Sequence, residues 1–283
     1  MSKIDNLVQD IYDLAETKSH PARVPAEQIF KDFGSNMESI LRDWLYPKDF
    51  SGGTLRMSNI GHPDRKLWYK HRKNEYKGER LRAHTLIKFL YGHLIEEMIL
   101  ALVKLSGHDV TDEQKRVELE GIKGSMDCKI DGLLCDVKST STYGFKKFKE
   151  NSLQHDDPFG YIDQISGYGQ AEGADEACFL AMDKSNGHLA VTKVDLLDKD
   201  VVKRIKHVKG MIESDTIPEP CYDLVADGKS GNTKLAMECS YCVFKQHCFP
   251  DMKVFAYSTG PRFLVDVVNY PKVAEVYNYF DKE

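Results

Sequence analysis

Two aspartates and a lysine stand out in the segment GSMDCKIDGLLCDVKSTS, which otherwise has the composition of a β-hairpin. The dipeptide Asp131-Gly132 is a strong signal for a two-residue turn, and such a turn would place Asp127 opposite Asp136 on the neighbouring strand. Directly opposed side chains have Cβ atoms about 4.5–5.5 Å apart, so two carboxylates in these positions repel each other unless a cation lies between them. Mg²⁺ or Mn²⁺ is the expected ion because both prefer oxygen ligands.

Lys138 follows Asp136 by two residues and therefore emerges on the same face of its strand. A divalent cation held by the two aspartates can polarise a phosphodiester and lower the pKa of a bound water. The lysine can orient that water or stabilise charge on the phosphorane. The pattern predicts a metal-dependent site for phosphodiester hydrolysis. The alternative is a solvent-facing strand pair whose charges interact only with water, and a longer loop would shift the pairing.

The elements that must position these residues alternate between helix and strand. Residues 1–60 have the pattern of helices interrupted by SHPARVP and YPKDFSGG. The stretch from Thr85 to Leu105 is long, apolar and free of proline, which predicts a buried helix ending at Gly107. The other predicted elements are strands over RVELEGIKGSMDCKID and LLCDVKSTS, a helical region over 143–173, a hairpin turning at 185–187, a helix over 199–212 and a late strand over PRFLVDVVNYP. This order predicts an α/β fold with a mixed central β-sheet flanked by helices.

Composition and charge narrow the class of protein. The chain has 283 residues, of which 41% are hydrophobic and 29% charged, as in an ordinary globular protein. No apolar run reaches the roughly 18 residues of a membrane span, and the N-terminus has no cleavable signal pattern. We therefore expect a cytoplasmic protein. The net charge of −5 argues against nonspecific coating of nucleic acid, although it leaves a nucleic-acid enzyme possible.

A basic stretch from Arg65 to Arg82 carries eight Lys or Arg residues against two Glu, with aromatic residues interleaved. Such a stretch is a reasonable electrostatic footprint for phosphates. The alternative is a solvated helix face. The candidate DNA-binding residues in it are Arg65, Lys66, Trp68, Tyr69 and Arg72.

Three of the seven cysteines, Cys239, Cys242 and Cys248, have the spacing C-x2-C-x5-C. Soft thiolates at such spacing indicate an iron–sulfur cluster or zinc, and either needs a fourth ligand, for which Cys221 is available. The alternative is three free cysteines in a small core. The cysteines of the predicted strands, at 128, 135 and 178, are interpreted as packing residues.

Asp127 followed by Asp136-Val137-Lys138 resembles the signature of the PD-(D/E)xK nuclease superfamily, specifically its RecB-like exonuclease branch. Three further features match in the expected order: GHLIEE (92–97), QISGY (164–168) and CSYCVFKQHC (239–248). The resemblance covers roughly residues 60–250. It implies a restriction-endonuclease-like core and a Mg²⁺- or Mn²⁺-dependent exonuclease that acts on DNA in recombination, repair or DNA degradation.

The resemblance also implies roles for single residues. Glu96 would complete the oxygen shell of the metal, with Glu97 as the competing choice. His93 is either a metal ligand or a core histidine hydrogen-bonded to Glu97. Gln164 and Tyr168, four residues apart on one helix face, would position DNA beside the metal, whereas a core contact of Tyr168 is the structural alternative.

In cluster-bearing members of that branch, the first cysteine lies just before a stretch like RKLWY. This chain has GHPDRKLWYKHR instead, without a cysteine, so His62 or Asp64 could substitute there. The resemblance places a [4Fe–4S] cluster ahead of zinc.

The predicted organisation is a helical N-terminal region with the basic stretch (1–84), the nuclease core (85–215) and a cysteine-containing C-terminal region (216–283). The alternatives to an exonuclease are a CRISPR-associated RecB-like nuclease, a structure-specific endonuclease, or an inactive nuclease fold that only binds DNA.

Overall fold

Helices and strands alternate along most of the chain, as the apolar periodicities predict. The computed structural model describes residues 3–47, 55–197, 199–277 and 279–280. The helices are α1 (Leu7–Thr17), α2 (Ala26–Leu45), α3 (Asp64–His71), α4 (Ala83–Leu105), α5 (Thr142–Lys149), α6 (Tyr161–Glu172), α7 (Val201–Glu213), α8 (Met237–Ser240) and α9 (Lys245–Cys248). The strands are β1 (Val110–Thr111), β2 (Arg116–Leu119), β3 (Ile122–Ser125), β4 (Cys128–Ile130), β5 (Leu133–Thr140), β6 (Glu176–Asp183), β7 (Leu189–Asp195), β8 (Val225–Ala226), β9 (Thr233–Lys234), β10 (Lys253–Tyr257) and β11 (Gly260–Asp266).

The central sheet has five strands in the order β1-β4-β5-β6-β7. Strands β5 and β6 are parallel, whereas β1 with β4, β4 with β5, and β6 with β7 are antiparallel. The sheet is therefore mixed and flanked by helices, which confirms the predicted fold class.

The β4–β5 hairpin has the predicted turn. Asp131 and Gly132 both have positive φ angles, 50° and 84°, as a type I′ turn requires. The register pairs Cys128 with Cys135 and Ile130 with Leu133, in agreement with the prediction. Asp131 also anchors the turn, because its carboxylate accepts hydrogen bonds from Lys3 Nζ (2.8 Å) and from the backbone NH of Asp109 (3.0 Å).

The two faces of the central sheet bury different side chains. On one face, apolar residues of α1 and of the second half of α4 pack against the sheet; they include Leu7, Ile99, Cys135 and Val137. On the other face, Phe148 of α5 contacts Phe179 of β6 with ring centroids 5.4 Å apart. Side chains alternate along a strand, so Asp136 and Lys138 emerge on the face opposite to Cys135 and Val137.

Two expectations about elements need correction. The segment predicted as one strand before Asp131 also contains a separate two-stranded sheet, β2–β3. This sheet turns at Glu120 and Gly121, whose φ angles of 49° and 74° make a second tight turn. Helix α4 is buried only in its second half, because the apolar side chains of Leu86, Ile87 and Phe89 in its first half are exposed.

By the distribution of contacts, residues 1–61 and 83–205 form one compact unit, and residues 62–82 and 206–283 form another. The first unit contains the central sheet. The second contains the four-stranded sheet β10-β11-β9-β8. The three-region organisation stays a prediction. Within the described residues, no helix has the length and apolar character needed to cross a membrane.

Candidate functional site

Asp127 lies directly before β4, and its carboxylate turns toward β5. Its Oδ2 accepts a hydrogen bond from the backbone NH of Val137 at 2.8 Å. Burial, and then the nearby charge of Asp136, raise the pKa of Asp127 to about 7. The effect of Asp136 shows that the two carboxylates lie close enough to repel each other.

Asp136 is the most enclosed carboxylate of the site, with 1% of its surface exposed. Its Oδ1 accepts a hydrogen bond from Gln164 Nε2 at 3.1 Å, and its Oδ2 contacts Lys138 Nζ. Gln164 lies on α6, so this bond joins the helix to the strand that carries both Asp136 and Lys138. The structure thus brings Asp136, Lys138 and Gln164 together, and their roles in a reaction stay predictions.

Lys138 is charged and constrained. Burial favours its neutral form, but the carboxylates of Asp136 and Asp127 outweigh burial and raise its pKa. Its Nζ also lies 5.1 Å from the ring centroid of Tyr161, the first residue of α6. The ammonium group is thus held between a carboxylate and an aromatic ring.

Glu96 of α4 joins this group of charges. Burial, and then the charge of Asp127, raise its pKa to about 8, with a further contribution from Asp136. Three carboxylates from a helix, a loop and a strand therefore converge beside one lysine.

Gln114 is a residue of the site that the sequence did not reveal. Its backbone NH donates to the carbonyl oxygen of Asp127 at 2.9 Å, and its side-chain Nε2 donates to Glu96 Oε1 at 3.2 Å. Its φ angle of 52° lies in the left-handed region, which non-glycine residues rarely occupy. The loop after β1 thus connects the backbone of Asp127 to the carboxylate of Glu96 through a single residue.

Tyr168 is a buried residue of α6. Only 2% of its surface is exposed, and its ring packs against Gly124, where an added Cβ would lie 2.8 Å from the ring. Its side chain shares a hydrogen bond with Gln164, and burial raises its pKa. Tyr168 thus lies beside Gln164, and its role in positioning DNA stays a prediction.

Glu97 and His93 lie outside the carboxylate group. Glu97 Oε1 accepts a hydrogen bond from Asn36 of α2 at 2.9 Å, which favours Glu96 as the inward glutamate. His93 has an exposed side chain, and among the described residues it makes no hydrogen bond to Glu97. Its role as a ligand stays a prediction.

The side chains present fit a hard divalent cation in type, because carboxylate oxygens are the ligands that Mg²⁺ and Mn²⁺ prefer. The raised pKa values of Asp127 and Glu96 show carboxylates crowded in a buried place, where a cation would offset their repulsion. Within the described ranges, however, no three His, Cys, Asp or Glu side chains are already arranged to hold a metal ion. A cation would require the carboxylates to ionise and shift toward it.

The second unit brings four cysteines near one another. Burial, followed by the charges of Cys221, Cys242 and Cys248, raises the pKa of Cys239 to about 12. Cys221, the residue available as a fourth ligand, receives backbone hydrogen bonds from Arg65 and Lys66 at the start of α3. The thiols are neighbours, although none of their combinations is already arranged as a metal site.

The two other candidates for the fourth ligand stay predictions. Asp64 pairs with Nε2 of His207 at 2.6 Å. Burial and the charges of Lys66 and Lys70 lower the pKa of His62 to about 3.

The basic stretch is less exposed than expected. Trp68 and Tyr69 are buried and pack with Phe244 in an apolar cluster of the second unit. Arg72 donates to the carbonyl oxygens of Ile212 and Ser214, both at 2.7 Å. These three side chains are thus occupied within the fold, and their contact with DNA stays a prediction.

Arg65 and Lys66 are half-buried beside the cysteines. The charge of Arg65 acts on Cys248, and Cys242 and Cys221 act on Lys66. Their predicted contact with phosphates is not tested by this arrangement.

No protein-family profile matches the chain, and no curated protein matches its sequence. Among solved structures, the chain is similar to one described as SSO0001, with 12% identity over 75% of this chain and 93% of the other, and a TM-score of 0.44. An alkaline exonuclease from Laribacter hongkongensis has 16% identity over 56% and 86%, with a TM-score of 0.39. A phage-related exonuclease from Haemophilus somnus 129PT has 15% identity over 75% and 91%, with a TM-score of 0.33. Similarities of this size do not establish a shared activity.

Proposed function

We propose that the chain is a metal-dependent DNA exonuclease of the RecB-like type. The observation that carries the proposal is the convergence of Asp127, Asp136, Glu96 and Lys138 at one place beside the central sheet. A buried arrangement of three carboxylates and a lysine costs stability, and such arrangements concentrate at functional sites. Hydrolysis of a phosphodiester can use both kinds of group: carboxylates to bind a metal ion and a lysine to stabilise negative charge.

Asp127, Asp136 and Glu96 would hold Mg²⁺ or Mn²⁺, which when bound would polarise the phosphodiester and lower the pKa of a water. Lys138 lies against Asp136 and would orient the attacking water or stabilise negative charge that develops on the phosphate. Gln164 of α6 would orient Asp136 through its hydrogen bond, and Tyr168 would orient Gln164 in the same way. Gln114 holds Glu96 in position relative to Asp127.

An assay on end-labelled DNA tests this function. Linear and circular DNA are incubated with Mg²⁺, with Mn²⁺ and with EDTA, beside an Asp136→Asn variant. Release of nucleotides from linear DNA alone, dependent on the metal and lost in the variant, is the expected result. Cleavage of circular DNA would show that the protein is an endonuclease. Binding of DNA without hydrolysis would show that it is an inactive DNA-binding scaffold.

We also propose that Cys221, Cys239, Cys242 and Cys248 bind a soft metal centre, a [4Fe–4S] cluster ahead of zinc. The proximity of the four thiols supports this: burial and its neighbours keep Cys239 neutral, with its pKa raised to about 12, and a bound metal would stabilise the thiolate that this environment disfavours. Reduced thiols also fit the interior of a cell.

Anaerobically purified protein is expected to contain iron with visible absorbance, or else zinc. Cys221→Ser should lower the metal content, whereas the buried Cys178→Ser should not. Folded protein that contains neither iron nor zinc would contradict the proposal and leave these cysteines as packing residues.

A further inference from the structure

The exposed aromatic ring of Phe159 is separated from Lys138 by one other aromatic ring. Phe159 stacks on Tyr161 with ring centroids 5.4 Å apart and an angle of 25° between the ring planes. The same Tyr161 faces Lys138 Nζ at 5.1 Å. Phe159 is 58% exposed, so the stack runs from the candidate site to the surface.

The loop that carries Phe159 is rigidly built. Asp157 Oδ2 accepts a hydrogen bond from the backbone NH of Ile162 at 2.8 Å, which caps the start of α6. Gly160 has a φ angle of 73°, and a Cβ at this position would lie 2.3 Å from the backbone of Gly61. The position of Phe159 is thus set by its neighbour at 160, where only glycine fits.

The helix next to this loop carries three lysines. Helix α5 is held to the same loop, because Lys147 pairs with Asp156 at 2.7 Å and lies 5.4 Å from the ring centroid of the exposed Tyr143. On the same helix, Lys146 and Lys149 are exposed. In the described part of the chain, neither of these two lysines pairs with a carboxylate.

A single exposed apolar side chain is common on protein surfaces and indicates nothing by itself. Here a second ring, Tyr161, lies between the exposed ring and Lys138, and the neighbouring helix α5 carries two exposed lysines. Stacking rings within a basic surface are the combination that binds single-stranded nucleic acid without sequence preference.

We propose that the exposed face of Phe159 stacks on an unpaired nucleobase of the DNA strand whose phosphodiester lies at Lys138, with Lys146 and Lys149 near the phosphates of that strand. A base inside a duplex has both faces covered by its neighbours, so only a frayed, terminal or single-stranded base offers a free face. This inference rests on the proposed function and specifies its substrate as DNA with an unpaired end.

The test uses the full-length protein and a fluorescent single-stranded oligonucleotide in EDTA, so that no hydrolysis occurs. Affinity is measured for the intact oligonucleotide and for a series with one abasic site at successive positions from the end. For the wild-type protein, one position should weaken binding about 5- to 150-fold, the loss expected for one stacked base.

Phe159→Ala should weaken binding of the intact oligonucleotide by a similar factor, and the abasic site should then cause no further loss. Phe159→Leu keeps an apolar contact on Tyr161 without the aromatic face and should show most of the same loss. Phe159→Trp keeps an aromatic face and should bind as the wild type does. Phe30→Ala is the matched control, because Phe30 is 52% exposed on α2 and should leave affinity unchanged. Thermal unfolding of each variant separates a lost contact from a lost fold.

If Phe159→Leu binds as the wild type does and keeps the same abasic profile, the stacking proposal is overturned, while Mg²⁺-dependent digestion by the wild type would leave the proposed function standing. A wild-type protein that neither binds nor degrades DNA would overturn both.

Discussion

At the scale of single residues, Lys138 separates chemistry from binding. It is paired with Asp136 and cannot ligate a cation while protonated, so its contribution belongs to the reaction step. Lys138→Ala should lower turnover by about 10²- to 10⁴-fold, the loss typical of a positioned proton-transfer or charge-stabilising group. Affinity for Mg²⁺ should change much less, because the three carboxylates remain. Single-turnover hydrolysis and calorimetric titration with Mg²⁺ measure the two effects.

Lys129→Ala is the control for this variant. Lys129 lies on the same hairpin but pairs with Glu172 at 2.8 Å and Asp112 at 3.1 Å, so turnover should stay near the wild-type value. Near-normal cleavage by Lys138→Ala would contradict the assignment of Lys138 to the active site.

Gln114 should affect the metal more than the DNA. Gln114→Ala removes the hydrogen bond to Glu96, so the Mg²⁺ concentration that gives half-maximal activity should rise several-fold, while the KM for DNA stays close to the wild-type value. Gln114→Gly should show the same shift although it relieves the left-handed backbone. Asn36→Ala, which frees Glu97 instead, should leave the metal dependence unchanged. An unaltered Mg²⁺ dependence in both Gln114 variants would contradict the assignment.

The sequence predicted that Asp127, Asp136 and Lys138 share a face, because strand alternation and a two-residue turn convert spacing into geometry. Glu96 came only from the resemblance. The sequence did not predict Gln114 or Phe159. Each is placed by a loop in a left-handed conformation, at Gln114 itself and at Gly160 beside Phe159, and only the packing of distant segments specifies such loops.

At the scale of elements, the β4–β5 hairpin was predictable because Asp-Gly has a defined turn chemistry. The burial of α4 was not, since an apolar helix does not reveal which of its halves a neighbour covers. The separate β2–β3 sheet was missed because Glu-Gly is a weaker turn signal, although Gly121 marks the position.

Gly132 tests the turn directly. Its φ angle of 84° lies in the region that favours glycine, and a Cβ there would meet no atom within 4 Å, so any effect of Gly132→Ala comes from the backbone alone. We expect a loss of about 1–2 kcal/mol in the free energy of unfolding, measured by urea denaturation. The control is Gly34→Ala in α2, where a Cβ also meets nothing within 4 Å and helix propensity should raise stability by about 0.5–1 kcal/mol. Equal effects of the two changes would contradict the positive-φ turn.

At the scale of the whole molecule, the crowded carboxylates link stability to pH. The pKa of Asp127 is about 7 in the folded protein, against an ordinary value of 3.8, so the folded state holds a proton that the unfolded state releases. Without metal, the free energy of unfolding should therefore fall as pH rises from about 4 to about 7. Asp127→Asn should show a smaller fall, and Mg²⁺ should stabilise the wild type most above about pH 8, where Glu96 is also ionised. Thermal unfolding across this range, with and without Mg²⁺, measures both effects, and a slope unchanged by Asp127→Asn would contradict the raised pKa.

The organisation of the second unit shows where local patterns mislead. The basic and aromatic stretch looked like a nucleic-acid surface, yet Trp68 and Tyr69 form a core with Phe244, a partner about 175 residues away that no local pattern reveals. The cysteine spacing was a better guide to position, because Cys239, Cys242 and Cys248 are close in sequence and remain close in any fold.

The central claim is that Asp127, Asp136 and Glu96 share a divalent cation, and a crystal structure of the protein with Mn²⁺ tests it most directly. The account predicts an anomalous scattering peak within coordination distance, about 2.0–2.2 Å, of oxygens from both Asp127 and Asp136, with Lys138 moved off the Asp136 oxygen that it now contacts. A saturating concentration of Mn²⁺ that leaves this position without a peak, with Lys138 still on Asp136, would contradict the account.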